Sequence, residues 1–321
     1  MERQNIKVSS LTPVELREVW RNEATDFTPW LVENLQALGA ALGMELEVGQ
    51  REAPVGSFSL DILASEVNTN RTVVIENQLE DTNHDHLGKV LTYAAGYNAD
   101  VVVWLAKEFR EEHRQTLDWL NSRTGTQTEF YGVVIELVKI DDSRPAYNFD
   151  VIAKPNYWRK SRVDDTSTRI PSERREAYQA FFQSLIDKLR EEHRFTSARA
   201  AQPQGFYSFS SGFNGVKYGA SFAQGGRARV DLYIDTGDLD RNKGIFDSLY
   251  SDKDAIEGQL KCALSWERLD ERRASRVAVY SDGSIQDEED HEAIRDWMID
   301  YLLRFKKVFH AVLQAMPADM L

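Results

Sequence analysis

The chain has 321 residues, of which 42% are hydrophobic and 11% aromatic, so it can build packed cores and is not expected to be disordered. Its formal net charge of −13 is unfavourable for a nucleic-acid enzyme, because affinity for DNA comes largely from lysine and arginine. The single cysteine, Cys262, excludes an intramolecular disulfide. A soluble, cytoplasmic protein is expected, since 1–5 lack an apolar signal region and the longest strongly apolar run, 101–106, is far short of the roughly twenty residues of a membrane helix.

The charge is unevenly divided along the chain. Residues 1–158 contain 25 acidic and 14 basic residues, a net charge of −11, whereas 159–321 contain 27 acidic and 25 basic residues, a net charge of −2. The length favours two domains, and the polar, aperiodic stretch 159–171 is typical of a linker. We therefore expect one domain over 1–158 and a second over 172–321, with the phosphate-binding basic residues in the second half.

Two helices are predicted at the start of the first domain. The segment 12–21 has the residues of a helix start, with Thr12 as N-cap and a proline in the first turn. A longer helix is expected over 26–43, where apolar residues trace one face. Glu33 lies within it and is either a solvated helix charge or a residue beside a metal site.

The rest of the first domain mixes strands with helices. Helices are expected at 81–97 and 109–121, and Trp119 and Leu120 should face inward on the second of these. Strands are expected at 44–52, 58–64, 72–78, 100–106, 130–140 and 148–153, of which the second and third form a hairpin. This order predicts an α/β domain with a mixed sheet flanked by helices.

The helix expected at 81–97 carries a polar face. His86, Lys89 and Tyr93 are spaced i, i+3 and i+7, so they point together. His84 and His86 do not predict a zinc site, because residues two apart on a helix point about 200° apart and no cysteine lies near them. This helix therefore has one polar face, and a different face packs against the rest of the domain.

The second half predicts a smaller α+β domain that is rich in basic clusters. Helices are expected at 172–193, 239–250, 253–260 and 288–314, and strands at 205–210, 216–222, 228–235, 264–268 and 275–280. The basic clusters are Arg159, Lys160 and Arg162 in the linker, Arg227 and Arg229, and Arg272, Arg273 and Arg276. The last cluster is a candidate nucleic-acid-binding surface; the alternative is that its arginines pair with nearby acids such as Asp270 and Glu271.

Two carboxylates of the hairpin form a candidate metal site. Side chains alternate across a strand, so Glu76 and Gln78 share one face, and hairpin pairing can bring Asp61 opposite them. Two carboxylates and an amide oxygen are hard ligands that suit Mg²⁺ or Mn²⁺, and such a site is a candidate for phosphodiester cleavage. The alternative is that both acids are ordinary edge charges, but Glu76 follows the apolar run 73–75, where a buried carboxylate needs a partner or a metal.

Residues of about 10–155 resemble the PD-(D/E)XK nuclease superfamily, which has the restriction-endonuclease-like fold. Asp61 matches the first acid of that pattern, Glu76-Asn77-Gln78 matches the (D/E)-X-K element, and 89–93 match the following helix with its polar pair. The strings at 26–31, 75–79, 84–88 and 91–95 resemble one bacterial subfamily closely. In that subfamily a domain of unknown function follows the nuclease-like domain, and 172–321 resemble it.

The resemblance implies an Mg²⁺- or Mn²⁺-dependent nuclease acting on DNA, in restriction or antiphage defence, with Asp61 and Glu76 holding the metal. DNA is the expected partner, together with a second copy of the chain or a partner protein. Gln78 stands where the pattern has lysine and cannot act as a cation, although some active members carry glutamine there. Lys89 is expected to supply the missing charge from the next helix. The competing interpretation is a catalytically inactive nuclease-fold module that binds nucleic acid or a protein.

Overall fold

The computed structural model describes residues 9–124, 128–155, 172–317 and 320–321. The predicted linker at 159–171, with Arg159, Lys160 and Arg162, lies outside the described residues. The chain divides into two compact units, the first holding most of the described residues up to 155 and the second holding those from 172 together with 43–47 and 67–69. Over the described residues, no helix has the length and apolar character to cross a membrane.

A mixed sheet forms the centre of the first unit. Its described strands are β1 (Leu11–Val14), β2 (Leu46–Val55), β3 (Phe58–Glu66), β4 (Thr72–Asn77), β5 (Val101–Ala106), β6 (Glu129–Ile140) and β7 (Ala146–Ala153). Their order is β1-β6-β5-β4-β3-β2, and β7 also pairs with β6. β3 and β4 form the predicted antiparallel hairpin, whereas β4, β5 and β6 run parallel. The prediction of an α/β unit with a mixed sheet is confirmed.

Helices flank this sheet. They are α1 (Leu16–Val19), a π-helical turn (Glu23–Phe27), α2 (Thr28–Glu33), α3 (Leu35–Leu42), α4 (His84–Gly96) and α5 (Glu111–Arg123). All six residues of β5 are buried, as expected for a strand covered on both faces. Trp104 of β5 packs in a core with Val90 and Tyr93 of α4 and Leu117 of α5. This core fixes α4 against the carboxyl end of β4.

Two predictions about helices in the first unit are wrong. Thr12 does not cap a helix: Leu11–Val14 is a strand, because β6 continues far enough to pair with it, and Pro13 is tolerated since the strand lies at the sheet edge. Trp119 is 57% exposed. The inward face of α5 is set instead by His113, Leu117 and Asn121, which repeat every four residues.

The second unit contains an antiparallel sheet and long helices. Its described strands are β8 (Phe206–Ser210), β9 (Val216–Ala223), β10 (Arg227–Ile234), β11 (Ser265–Glu267) and β12 (Ser275–Asp282), in the order β11-β12-β10-β9-β8. Its described helices are α6 (Ser172–Glu191), α7 (Leu239–Ser251), α8 (Lys253–Leu260) and α9 (His291–Gln314), with a 3-10 turn at Glu288–Asp290. The apolar sides of α6 and α9 share one core with one face of the sheet. This arrangement is α+β, as the alternating strand and helix patterns indicate.

Candidate functional site

The hairpin places Asp61 and Glu76 side by side. The last recorded pair of the β3–β4 ladder joins Ile62 to Ile75, so Asp61 and Glu76 are the next residues outward on the two strands. The backbone N–H of Asn77 donates a hydrogen bond to Asp61 Oδ2 at 2.8 Å, which fixes the Asp61 carboxylate against the end of β4. Asn77 is itself held by the buried hydroxyl of Thr28, at 3.3 Å from Oδ1. Pairing of the strands thus brings the two predicted carboxylates together.

Burial makes both carboxylates hard to ionise. Glu76 is only 2% exposed, and burial raises its pKa, an effect that the neighbouring Asp61 charge increases and Lys89 opposes. Burial also raises the pKa of Asp61, against the hydrogen bond from Asn77. A cation between the two groups would reverse both shifts, because a nearby positive charge favours the ionised form.

The carboxylate oxygens that remain available suit a hard divalent cation. Glu76 Oε1 lies 3.3 Å from Lys89 Nζ, whereas Glu76 Oε2 is buried without a hydrogen-bond partner among the described residues. A buried carboxylate oxygen without a partner is costly unless a ligand completes it. Among the described residues, no three His, Cys, Asp or Glu side chains converge as a metal-binding group. A two-carboxylate donor set fits Mg²⁺, which usually keeps several waters and adds a substrate phosphate.

The polar face of α4 meets this pair. Besides Lys89, His86 reaches Glu76, with its Nε2 at 3.9 Å from Oε1, and burial lowers the pKa of His86. The His86 ring is oriented by Asn83, the N-cap of α4, whose Oδ1 lies 3.0 Å from Nδ1. Tyr93 is buried, and its hydroxyl donates to the carbonyl of Ser59 at 2.8 Å, which anchors α4 to β3. The helix therefore presents two basic side chains, those of His86 and Lys89, to the Glu76 carboxylate.

Gln78 is engaged elsewhere. Its Oε1 accepts a hydrogen bond from the indole of Trp104 at 3.0 Å, and its Nε2 donates to the carbonyl of Asp81 at 2.7 Å and to that of Glu80 at 3.3 Å. Gln78 is also almost completely buried. These contacts give Gln78 the role of holding the loop that follows β4, with its amide committed to the protein.

The anchoring role of Gln78 predicts a stability effect. In Gln78→Lys the Trp104 indole would lose its acceptor and a charge would be buried, so we expect the free energy of unfolding to fall by about 1–3 kcal/mol. Urea unfolding measures the change, and Gln115→Lys, at an exposed helix position, is the matched control, for which we expect a change within about 0.5 kcal/mol. A Gln78→Lys protein as stable as the wild type would show that these hydrogen bonds do not anchor the loop.

Glu23 and Glu52, which were not predicted as site residues, lie near the carboxylate pair, whereas Glu33, which was, forms no ion pair with it in the described structure. Glu23 and Glu52 both raise the pKa of Asp61 by their charge. Glu23 Oε1 also accepts the backbone N–H of Leu79 at 3.0 Å. Glu33 is the last residue of α2, and its side chain is exposed. The only sequence signal for Glu23 was its place just before the 26–31 string, because its role depends on a π-helical turn.

The basic cluster of the second unit is largely neutralised. Arg273 pairs with Asp235 at 2.7 Å, and Arg276 pairs with Asp231 at 2.9 Å and with Glu267 at 3.1 Å. The alternative of pairing with acids therefore holds for both, although the partners are Asp231 of β10, Asp235 just after β10 and Glu267 of β11. Arg272 is exposed and forms no ion pair within the described part of the chain.

The backbone of the loop that carries Arg272 is held by the side chain of Lys243. The three N–H donors of the buried Lys243 ammonium are shared among four backbone carbonyls and one hydroxyl within hydrogen-bonding distance, those of Arg268, Leu269, Arg272, Ala274 and Ser275. Five acceptors satisfy a group that would be costly to bury alone. The backbone of this loop is therefore held in place whatever its arginines contact.

The raised pKa of Glu76 predicts a pH effect on the metal-free protein. The folded state binds this proton more tightly than the unfolded chain, so stability should fall as pH rises above 4.5, the ordinary value, until Glu76 ionises in the folded state. Thermal melts in EDTA between pH 4.5 and 9 test this, with Glu76→Gln as the comparison. The wild type should lose stability relative to the variant across this range; parallel curves would contradict the shift.

Comparison with known proteins gives a family match within the second unit. Residues 177–313 match the family model described as "Domain of unknown function (DUF4268)", a stretch that runs from α6 to α9. No curated protein and no solved structure matches the chain. The match is thus to a domain whose description names no activity, and it does not cover Asp61 or Glu76.

Proposed function

We propose that the first unit is a metal-dependent phosphodiesterase that acts on DNA. The observation that carries the proposal is the buried Glu76 Oε2, which lies beside the Asp61 carboxylate and has no hydrogen-bond partner among the residues that the structure describes. We further propose that the unit has the restriction-endonuclease-like fold, which the parallel β4–β5–β6 core and the hairpin carrying both acids support. A bacterial role in restriction or antiphage defence, in the cytoplasm, rests on analogy with that superfamily.

Each side chain of the site receives a role in this proposal. Asp61 and Glu76 would hold Mg²⁺ or Mn²⁺, which when bound would neutralise charge on the phosphate and activate water for attack. Lys89, whose Nζ lies 3.3 Å from Glu76 Oε1, would balance the negative charge that develops on the phosphate. Asn77 orients Asp61 through its backbone N–H, and Gln78 holds the loop behind them.

A second candidate is a nuclease-fold module without turnover. Lys89 already compensates part of the Glu76 charge, and Gln78 offers no cation at the position where the superfamily has lysine. The net charge of −11 over residues 1–158 also opposes binding of a polyanion by this part of the chain alone. Such a module would bind nucleic acid or a partner protein.

The experiment that separates the two candidates is incubation of the full chain with nucleic acids. Labelled single- and double-stranded DNA and RNA would be supplied with Mg²⁺, with Mn²⁺ or with EDTA, and Asp61→Asn would be run beside the wild type. The proposed enzyme cleaves DNA only with metal, and the variant does not. Binding without cleavage in every metal condition would support the inactive module instead.

A further inference from the structure

The second unit has a sheet with two chemically different faces. One face, which includes Tyr218, Val230, Leu232 and Val277, packs in the core with α6 and α9. Side chains alternate along each strand, so the intervening residues lie on the opposite face. Those residues are mostly polar or aromatic: Ser208, Lys217, Gly219, Ser221, Arg227, Arg229, Asp231, Tyr233, Glu267, Arg276 and Tyr280. A sheet face of this composition is suited to polar contacts.

A ladder of alternating charges crosses this face. Asp231, only 4% exposed, has its Oδ2 at 2.9 Å from Nε of both Arg229 and Arg276, and Arg276 reaches Glu267 at 3.1 Å. Gly219 pairs with Asp231 across the sheet, and an added Cβ there would lie 2.0 Å from Asp231 Oδ1. The Asp231 carboxylate therefore lies over β9. Because Asp231 pairs with both Arg229 and Arg276, it remains paired if one of these two arginines moves away.

One end of the ladder has an excess of positive charge. Arg227 is exposed, with its guanidinium 4.5 Å from the centre of the Tyr280 ring, and it forms no ion pair with a described residue, although its cross-strand neighbour is Asp282. Within the described part of the chain, Arg229 forms an ion pair with Asp231 alone, and it shares that partner with Arg276. Two guanidinium groups thus lie at this end, and the neighbouring carboxylates are those of Asp282, across from Arg227, and of Asp231, which Arg229 shares with Arg276.

A buried hydroxyl lies beside this end without a partner. Ser221 is directly opposite Arg229 in the β9–β10 register, and it is 5% exposed. Its Oγ has no hydrogen-bond partner among the described residues. Residues directly opposite on neighbouring strands are close enough to act on one ligand. An acceptor is therefore missing next to the two arginines.

We propose that Ser221, Arg227 and Arg229 form a binding site for a phosphate group. Phosphate offers several acceptor oxygens and negative charge, and arginine recognises it through paired N–H donors. On binding, the Arg229 guanidinium turns from Asp231 toward the anion, and Arg276 keeps Asp231 paired. The site is separate from Asp61 and Glu76 in sequence and in chemistry, so it does not depend on the proposed nuclease activity.

Thermal shift of the full chain in EDTA tests the site, with inorganic phosphate as the probe. Wild-type protein should gain stability with phosphate, at constant ionic strength maintained with chloride. Ser221→Ala should need about tenfold or more phosphate for the same gain, yet melt no lower than the wild type without phosphate, because the lost hydroxyl has no hydrogen-bond partner among the described residues. Arg227→Met should weaken binding similarly. Arg304→Met is the control, since Arg304 also lies over a tyrosine ring, that of Tyr301, on α9.

Two outcomes would overturn the site: no phosphate-dependent gain in the wild type, or the same gain in Ser221→Ala as in Arg304→Met. The source of the phosphate is resolved by adding a short single-stranded oligonucleotide without terminal phosphates. If the oligonucleotide competes with inorganic phosphate in the wild type but not in Ser221→Ala, the site binds a nucleic-acid backbone. If inorganic phosphate binds and the oligonucleotide does not compete with it, the site binds a free phosphate or a phosphomonoester. Because this assay is run in EDTA and does not measure cleavage, failure of the phosphate site can be distinguished from failure of the nuclease proposal.

Discussion

Replacing Glu76 with glutamine, or Asp61 with asparagine, is expected to abolish DNA cleavage while making the metal-free protein more stable. Either change removes a ligand of the ion, whose stabilisation of the transition state is worth several kcal/mol, so the rate should fall by about a thousandfold or more. Each change also removes one of two carboxylates that burial and mutual repulsion hold in an unfavourable state. Loss of activity and gain of stability should appear together.

Single-turnover cleavage assays and thermal melts in EDTA measure the two effects. Glu33→Gln is the matched control, because Glu33 is an exposed acid of the same unit. It should change neither quantity appreciably. Cleavage that survives in both Asp61→Asn and Glu76→Gln would show that the site lies elsewhere, and a variant that loses activity only because it unfolds would be recognised by a lowered melting temperature.

Lys89→Met is expected to slow turnover by about a hundredfold while leaving DNA affinity nearly unchanged. The reason is that a cation beside the reacting phosphate acts mainly on charge that develops in the transition state. Metal affinity should stay the same or rise, because the ammonium 3.3 Å from Glu76 Oε1 competes with the ion for that carboxylate. This combination separates Lys89 from a residue that simply holds the metal or the substrate.

Lys107→Met is the control for Lys89. The side chains of both lysines are 40% exposed, and each contacts one carboxylate, in the case of Lys107 that of Glu15 at 2.7 Å. Turnover and DNA affinity, obtained from single-turnover kinetics and anisotropy, should be unaffected in the control. If Lys89→Met turned over as fast as Lys107→Met, the idea that Lys89 replaces the lysine of the superfamily pattern would be wrong.

The hairpin was predictable from the sequence because its signals are local. Alternation and β-branched residues marked β3 and β4, and the structure has them at Phe58–Glu66 and Thr72–Asn77. The polar spacing on α4 likewise located His86 and Lys89 on the side that meets Glu76. Short-range periodicity therefore sufficed for the elements that carry the candidate site.

Other features depended on contacts that local patterns do not contain. Thr12 has the residue type of an N-cap, but pairing with a distant strand made that segment a strand. Gln78 was expected to face the metal, and nothing near it in the sequence reveals that Trp104, twenty-six residues later, takes its amide oxygen. Glu23 approaches Asp61 only because a π-helical turn and the backbone of Leu79 hold it there.

The charged residues of the second unit show the same limit. The cluster of Arg272, Arg273 and Arg276 was visible as a run of bases, but Asp235 pairs with Arg273, and Asp231 and Glu267 pair with Arg276, through contacts that are distant in sequence. The acids that lie nearest in sequence, Asp270 and Glu271, form no ion pair with those arginines in the described part of the chain. The count of charged residues along the chain therefore gives the net charge, but it does not reveal which basic side chains are exposed and unpaired.

Calorimetric titration of Mn²⁺ into the full chain tests the central claim most directly, because it measures the carboxylate site without requiring a substrate. The wild type should bind Mn²⁺ with proton release, since burial raises the pKa of this carboxylate pair and the ion must displace the proton that the pair retains. The binding should disappear in Asp61→Asn and in Glu76→Gln and persist in Glu33→Gln. Absence of Mn²⁺ binding by the wild type, or equal binding by all four proteins, would contradict a metal site at this carboxylate pair.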